Sequence, residues 1–96
     1  MDVSGWSNGG STFGIRVGAA NRDMYFDRSW KRIVLVVDGV DHPISLTAGF
    51  WIKCPELRGG VIRDWLQEQG LGSWQPGKPP RFTLVPLGEA RFRLDR

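Results

Sequence analysis

The five residues Ile33 to Val37 form an unbroken apolar run, four of them β-branched. A half-buried strand would alternate, so a continuous run of this kind predicts a central strand covered on both faces. Asp38, Gly39, Val40 and Asp41 then supply turn chemistry. Beyond them Ile44 and Leu46 alternate with Pro43, Ser45 and Thr47, so Ile33 to Leu46 reads as a hairpin. Pro43 has no N–H to give a ladder, which places it at a strand start or on a free edge.

Other segments keep the same period of two. Phe13, Ile15 and Val17 alternate with Thr12, Gly14 and Arg16. Phe82 and Leu84 alternate with Arg81 and Thr83. After a turn at Gly88 and Glu89, Phe92 and Leu94 alternate with Arg91 and Arg93. One helix is clear. Val61, Ile62, Trp65 and Leu66 make a single stripe opposite Arg63, Asp64, Gln67 and Glu68, and Gly70 suits the left-handed position that ends a helix over about 60–69, with Leu71 lying over Leu66. Thr47 is a fitting N-cap for a short helix over about 48–53 that carries Phe50, Trp51 and Ile52 and stops before Pro55. Residues 1–11 hold Gly and Ser around Trp6 without period and read as a flexible lead-in. Gly18 to Trp30 reads as a loop with one turn, and Gly72 to Pro80 as a stiff extended connection.

A chain of 96 residues buries roughly 65% of the surface its unfolded form exposes, enough for one core. The expected fold is a single α+β domain over residues 12–96. It has a small, twisted, partly closed antiparallel sheet or pseudobarrel of about five or six strands, one main helix and one short one.

The side chains that carry chemistry are few. Cys54 is the only cysteine, which excludes an internal disulfide and leaves a cysteine-based zinc site without partners. It precedes Pro55, and a buried inert thiol is the expectation. His42 reads as a turn histidine. Asp23 and Asp27 lack the further acids of a magnesium site, and no phosphate-loop pattern occurs. No cofactor and no catalytic residue are therefore expected. No apolar run approaches the roughly 18 residues of a membrane span and no signal-peptide pattern opens the chain, so the expected compartment is the cytoplasm.

The formal charge is +3 and ten of the thirteen cations are Arg. Guanidinium suits bidentate contact with phosphate or guanine, although codon bias in a GC-rich genome gives the same excess. In the strands above, inward Phe, Ile and Leu force Arg16, Arg81, Arg91 and Arg93 outward. These four are either a phosphate-binding patch or a solvated face. Phe50, Trp51, Lys53 and Arg58, with Trp74 and Lys78, mix rings and cations in irregular stretches, an arrangement that suits either stacking on bases or plugging a small barrel. Trp6, Trp51 and Trp74 are candidate interface anchors.

The order of elements resembles the DNA-binding pseudobarrel superfamily. The resemblance is carried by Ile33 to Val37, Ile44 to Thr47, and Gly60 to Leu71 with Trp65 and Gly70, and it covers Thr12 to Leu94. It implies two arms that grip the major groove, here Gly18 to Arg28 and Thr47 to Arg58, which adds Arg22, Arg28, Lys53 and Arg58 to the candidates. The expected function is non-catalytic binding of nucleic acid, DNA ahead of RNA. The alternative is that the chain is a protein-interaction or self-association module, such as an accessory protein of bacterial mobile DNA, acting as a homodimer or with a protein partner.

Overall fold

The computed structural model describes residues 1–96. In chain order the elements are β1 (Asp2–Ser7), β2 (Phe13–Arg16), α1 (Ala19–Tyr25), β3 (Arg32–Val37), β4 (Val40–Ser45), α2 (Ala48–Ile52), β5 (Glu56–Arg58), α3 (Gly60–Glu68), β6 (Arg81–Gly88) and β7 (Arg91–Asp95). All seven strands join one sheet in the order β4-β3-β7-β6-β1-β2-β5. It curls until its edges, β4 and β5, approach each other, so the α+β fold is a nearly closed barrel.

The inward sides carry the core. Ile15, Ile33, Leu35, Leu57, Leu84 and Phe92 are almost wholly buried, and α3 adds Ile62, Trp65 and Leu66. Trp65 packs tilted against Phe82, with ring centroids 5.1 Å apart. The end of α3 follows its sequence signal: Gly70 takes a φ of 73°. The Gly70 amide donates to the Gln67 carbonyl at 3.1 Å, and the Leu71 amide reaches back to that of Leu66 at 2.7 Å. Thr47 caps α2, its hydroxyl accepting the Phe50 N–H at 3.4 Å. In the β3–β4 hairpin both Asp38 (φ 51°) and Gly39 (φ 79°) are left-handed, as a two-residue turn between twisted strands requires.

Several expectations need correction. The lead-in is strand: β1 pairs with both β2 and β6, Val3 is buried, and the Met1 ammonium donates to the Leu84 carbonyl at 2.7 Å. Its inward positions are Val3 and Gly5, so little apolar alternation marks it. The segment read as a loop with one turn contains the seven-residue α1, tied down by the Asn21 amide, which donates to the carbonyls of Asp2 at 2.8 Å and Val17 at 3.0 Å. β5, three residues long, also went unread, which brings the strands to seven. The sheet is not wholly antiparallel, because β3 and β7 pair in parallel. β3 is flanked on both sides but lies second from one edge, not at the centre. Cys54, expected to be buried, is exposed.

Candidate nucleic-acid interface

Alternation on the barrel wall turns Arg16, Arg81, Arg91 and Arg93 away from the core, as their buried neighbours Ile15, Phe82, Phe92 and Leu94 require. The register then separates them. Ser4 of β1 lies opposite Arg81 of β6 on one side and Arg16 of β2 on the other, and Arg16 lies opposite Glu56 of β5. Arg81, Ser4, Arg16 and Glu56 therefore form one row across four strands, with the Cα atoms of Arg81 and Arg16 about 10 Å apart at ordinary strand spacing. The adjacent row is Trp6, Gly14 and Arg58. Here the Arg58 guanidinium lies over the Trp6 ring, 4.4 Å from its centroid. Gly14 sits between them in register, and a Cβ there would collide with the Leu57 carbonyl oxygen.

Glu56 is the hub of this surface. Its side chain is only 4% exposed, while Arg16 and Arg58 each remain 55% exposed. Arg16 donates to one carboxylate oxygen through Nε at 3.4 Å and Nη2 at 3.3 Å, and Arg58 donates to the other through Nη2 at 3.0 Å. One shielded carboxylate is thus shared between two guanidiniums that face solvent. Arg81 forms no ion pair. The cluster carries three cations against one anion, and the acid lies beneath the cations. The row on its far side, Asp95, Thr83 and Asp2, bounds it, with Asp95 paired to Arg93.

Arg91 and Arg93 belong elsewhere. Arg91 makes a bidentate pair with Asp41 at 2.7 and 3.0 Å, and its hydrogen bonds hold the Asp41 carboxyl below the usual carboxylate range. Arg93 pairs with Asp95 at 3.2 Å. Each is matched one to one and adds no net charge to its surroundings.

The two arms implied by the pseudobarrel resemblance meet at α1 and α2. Arg22, its side chain 13% exposed, donates through Nε to Asp23 at 2.9 Å and through Nη1 to the Trp51 carbonyl at 3.2 Å. It is a tie between the arms and not a free contact. Arg28 is open to solvent, 3.8 Å from the same Asp23 and 5.3 Å from the Trp51 ring centroid. Those hydrogen bonds and charges lower the Asp23 carboxyl, Arg22 contributing most. Lys53, at the end of α2, is exposed and forms no ion pair.

Two clefts flank the Trp6–Arg58 stack. The first, about 630 Å³, follows the seam where β4 and β5 fail to join, and Lys53, Arg58, Glu56 and His42 border it. The second, about 560 Å³, lies between the β1–β2 turn and the 72–79 connection, bordered by Trp6, Phe13, Arg16 and Trp74. The three candidate anchors are all half-buried. Trp6 carries Arg58, Trp51 packs edge-on to Phe50 at 5.0 Å, and Trp74 packs edge-on to Phe13 at 6.0 Å. Sequence reasoning missed Glu56 and the Trp6–Arg58 stack, because both depend on the unread strands β1 and β5. No protein-family model, curated protein or solved structure matches this chain.

Proposed function

We propose that this domain binds nucleic acid without chemistry, DNA ahead of RNA, along a strip that runs from Lys53 past Arg58 and Arg16 to Arg81. The observation that carries the reading is the sharing of the shielded Glu56 carboxylate by Arg16 and Arg58. Because one acid serves two cations, the pairing orients the guanidiniums without cancelling them, and their exposed edges are presented as a fixed pair of donors to phosphate. The pseudobarrel resemblance supports the same side of the molecule, since Lys53 and Arg58 both come from the second arm and border one cleft.

The test is fluorescence anisotropy with labelled oligonucleotides between about 50 and 200 mM salt, where several phosphate contacts weaken binding steeply. Arg81→Gln lowers the affinity and flattens the salt dependence by about 0.7 to 0.9 in log–log slope, one contact's worth. The double replacement Arg91→Gln, Arg93→Gln leaves both nearly as they were. No binding at the lowest salt refutes the reading.

A second reading, self-association, is favoured by Ile52 and Met24, which are 76% and 74% exposed on α2 and α1. Light scattering decides it. A dimer that Ile52→Ser dissolves supports it, and a monomer at every concentration removes it.

A further inference from the structure

Six aromatic side chains are neither buried nor fully exposed, and three of them, Trp6, Phe13 and Trp74, gather around the second cleft. Its volume, about 560 Å³, falls in the usual range of small-ligand sites. Half of the wall between the rings is glycine, Gly9 and Gly10 from the β1–β2 turn and Gly72 and Gly77 from the connection opposite among them, and the rest is serine, proline and Arg16. A flat molecule entering there meets backbone, aromatic rings and the short or rigid side chains of serine and proline. Arg16 is the only charged residue in the wall, and it belongs equally to the cationic row on the sheet.

We infer that this cleft receives an unpaired nucleobase, so that the ligand of the strip is single-stranded nucleic acid. The inference rests on the nucleic-acid reading above, keeps its cationic strip, and replaces the duplex major groove that the resemblance implies by an unpaired strand. In a duplex the base faces are stacked away and only the edges show, whereas an unpaired base offers its face to a ring. Here phosphates follow Arg81, Arg16 and Arg58 along the outside of the barrel, and a base turns in over the lip formed by Arg16. The Trp74 ring, already set at 75° to Phe13, supplies one side of the slot, and Trp6, which borders the same cleft, supplies the other.

Equal-length labelled chains separate bases from phosphates. A thymidine oligomer and a uridine oligomer represent single-stranded DNA and RNA. A chain of abasic sites carries the same charge without bases, and a duplex carries paired ones. A slot for an unpaired base makes either base-bearing single strand bind at least about fivefold more tightly than the abasic chain, the lower end of what one stacked base contributes. The strand with that advantage identifies the preferred nucleic acid. Trp74→Leu brings the ratio down toward one. Equal affinity for abasic and base-bearing chains in the unaltered protein overturns the slot and leaves the phosphate strip standing, as does tighter binding of the duplex. Failure of every chain to bind removes the nucleic-acid reading itself. The comparison on the unaltered protein decides the matter even where the Trp74 variant folds poorly.

Discussion

Replacing Glu56 by Gln removes one negative charge from beneath two guanidiniums and keeps the side chain's size and one oxygen acceptor. In most buried carboxylates such a change would simply destabilise. Here the partners are Arg16 and Arg58, each 55% exposed, so the lost attraction is screened. Two half-exposed pairs at about 0.2 to 1 kcal/mol each put the cost near 1 kcal/mol, or a fall of about 4 to 8 °C in melting temperature for a domain of this size. Binding moves the other way. If the two freed guanidiniums engage one phosphate more than before, the log–log salt slope steepens by about 0.7 to 0.9, which at 0.1 M salt is a gain of about fivefold to eightfold in affinity. Anisotropy titrations at three or four salt concentrations, with circular dichroism melts of the same samples, measure both effects. Asp41→Asn is the control, because it adds the same formal charge by freeing Arg91, outside the strip, and leaves the slope nearly unaltered. An unchanged slope for Glu56→Gln would mean that this cluster does not contact phosphate, and an equal gain from Asp41→Asn would mean that net charge and not this cluster governs binding.

Two further outcomes test the geometry beneath the site. Gly14→Ala drives a methyl group toward the Leu57 carbonyl and must push β5 off β2, costing about 1 to 3 kcal/mol in a thermal melt. Gly60→Ala, at the start of α3 with open space around it, stabilises by about 0.5 to 1 kcal/mol. Equal effects from the two would contradict the β2–β5 register. The Asp41–Arg91 pair gives a pH signature. Because Arg91 holds the folded-state carboxyl below its unfolded value, the pair stabilises above the ordinary carboxylate range and its contribution disappears as pH falls through the lowered value. The melting temperatures of wild type and Arg91→Gln should therefore differ at neutral pH and converge as the pH falls below the lowered value. A gap that persists in acid would assign the effect to packing of the Arg91 stem.

What could be read in the chain is what local periodicity encodes. The period-two segments gave β2, β4, β6 and β7 and the outward direction of their arginines, the unbroken run Ile33 to Val37 gave β3, and the stripe from Val61 to Leu66 with Gly70 gave α3 and the form of its ending. β1 escaped because its inward positions are Val3 and Gly5, and β5 because it has three residues directly after Pro55. Each is held by strands on other parts of the chain and not by its own pattern. The character of the site depends on those two strands. Whether Arg16 is a free cation, a neutralised one or half of a shared pair is decided by Glu56, 40 residues away in sequence, through a register that no local motif announces. The same register sets Trp6 beneath Arg58 across Gly14. Counting cations therefore could not rank the candidates: Arg91 and Arg16 look alike in an alternating strand, yet one faces an acid of its own and the other shares one. The charge available to a ligand is fixed by how many guanidiniums each carboxylate must serve, and here that ratio is set by strand pairing.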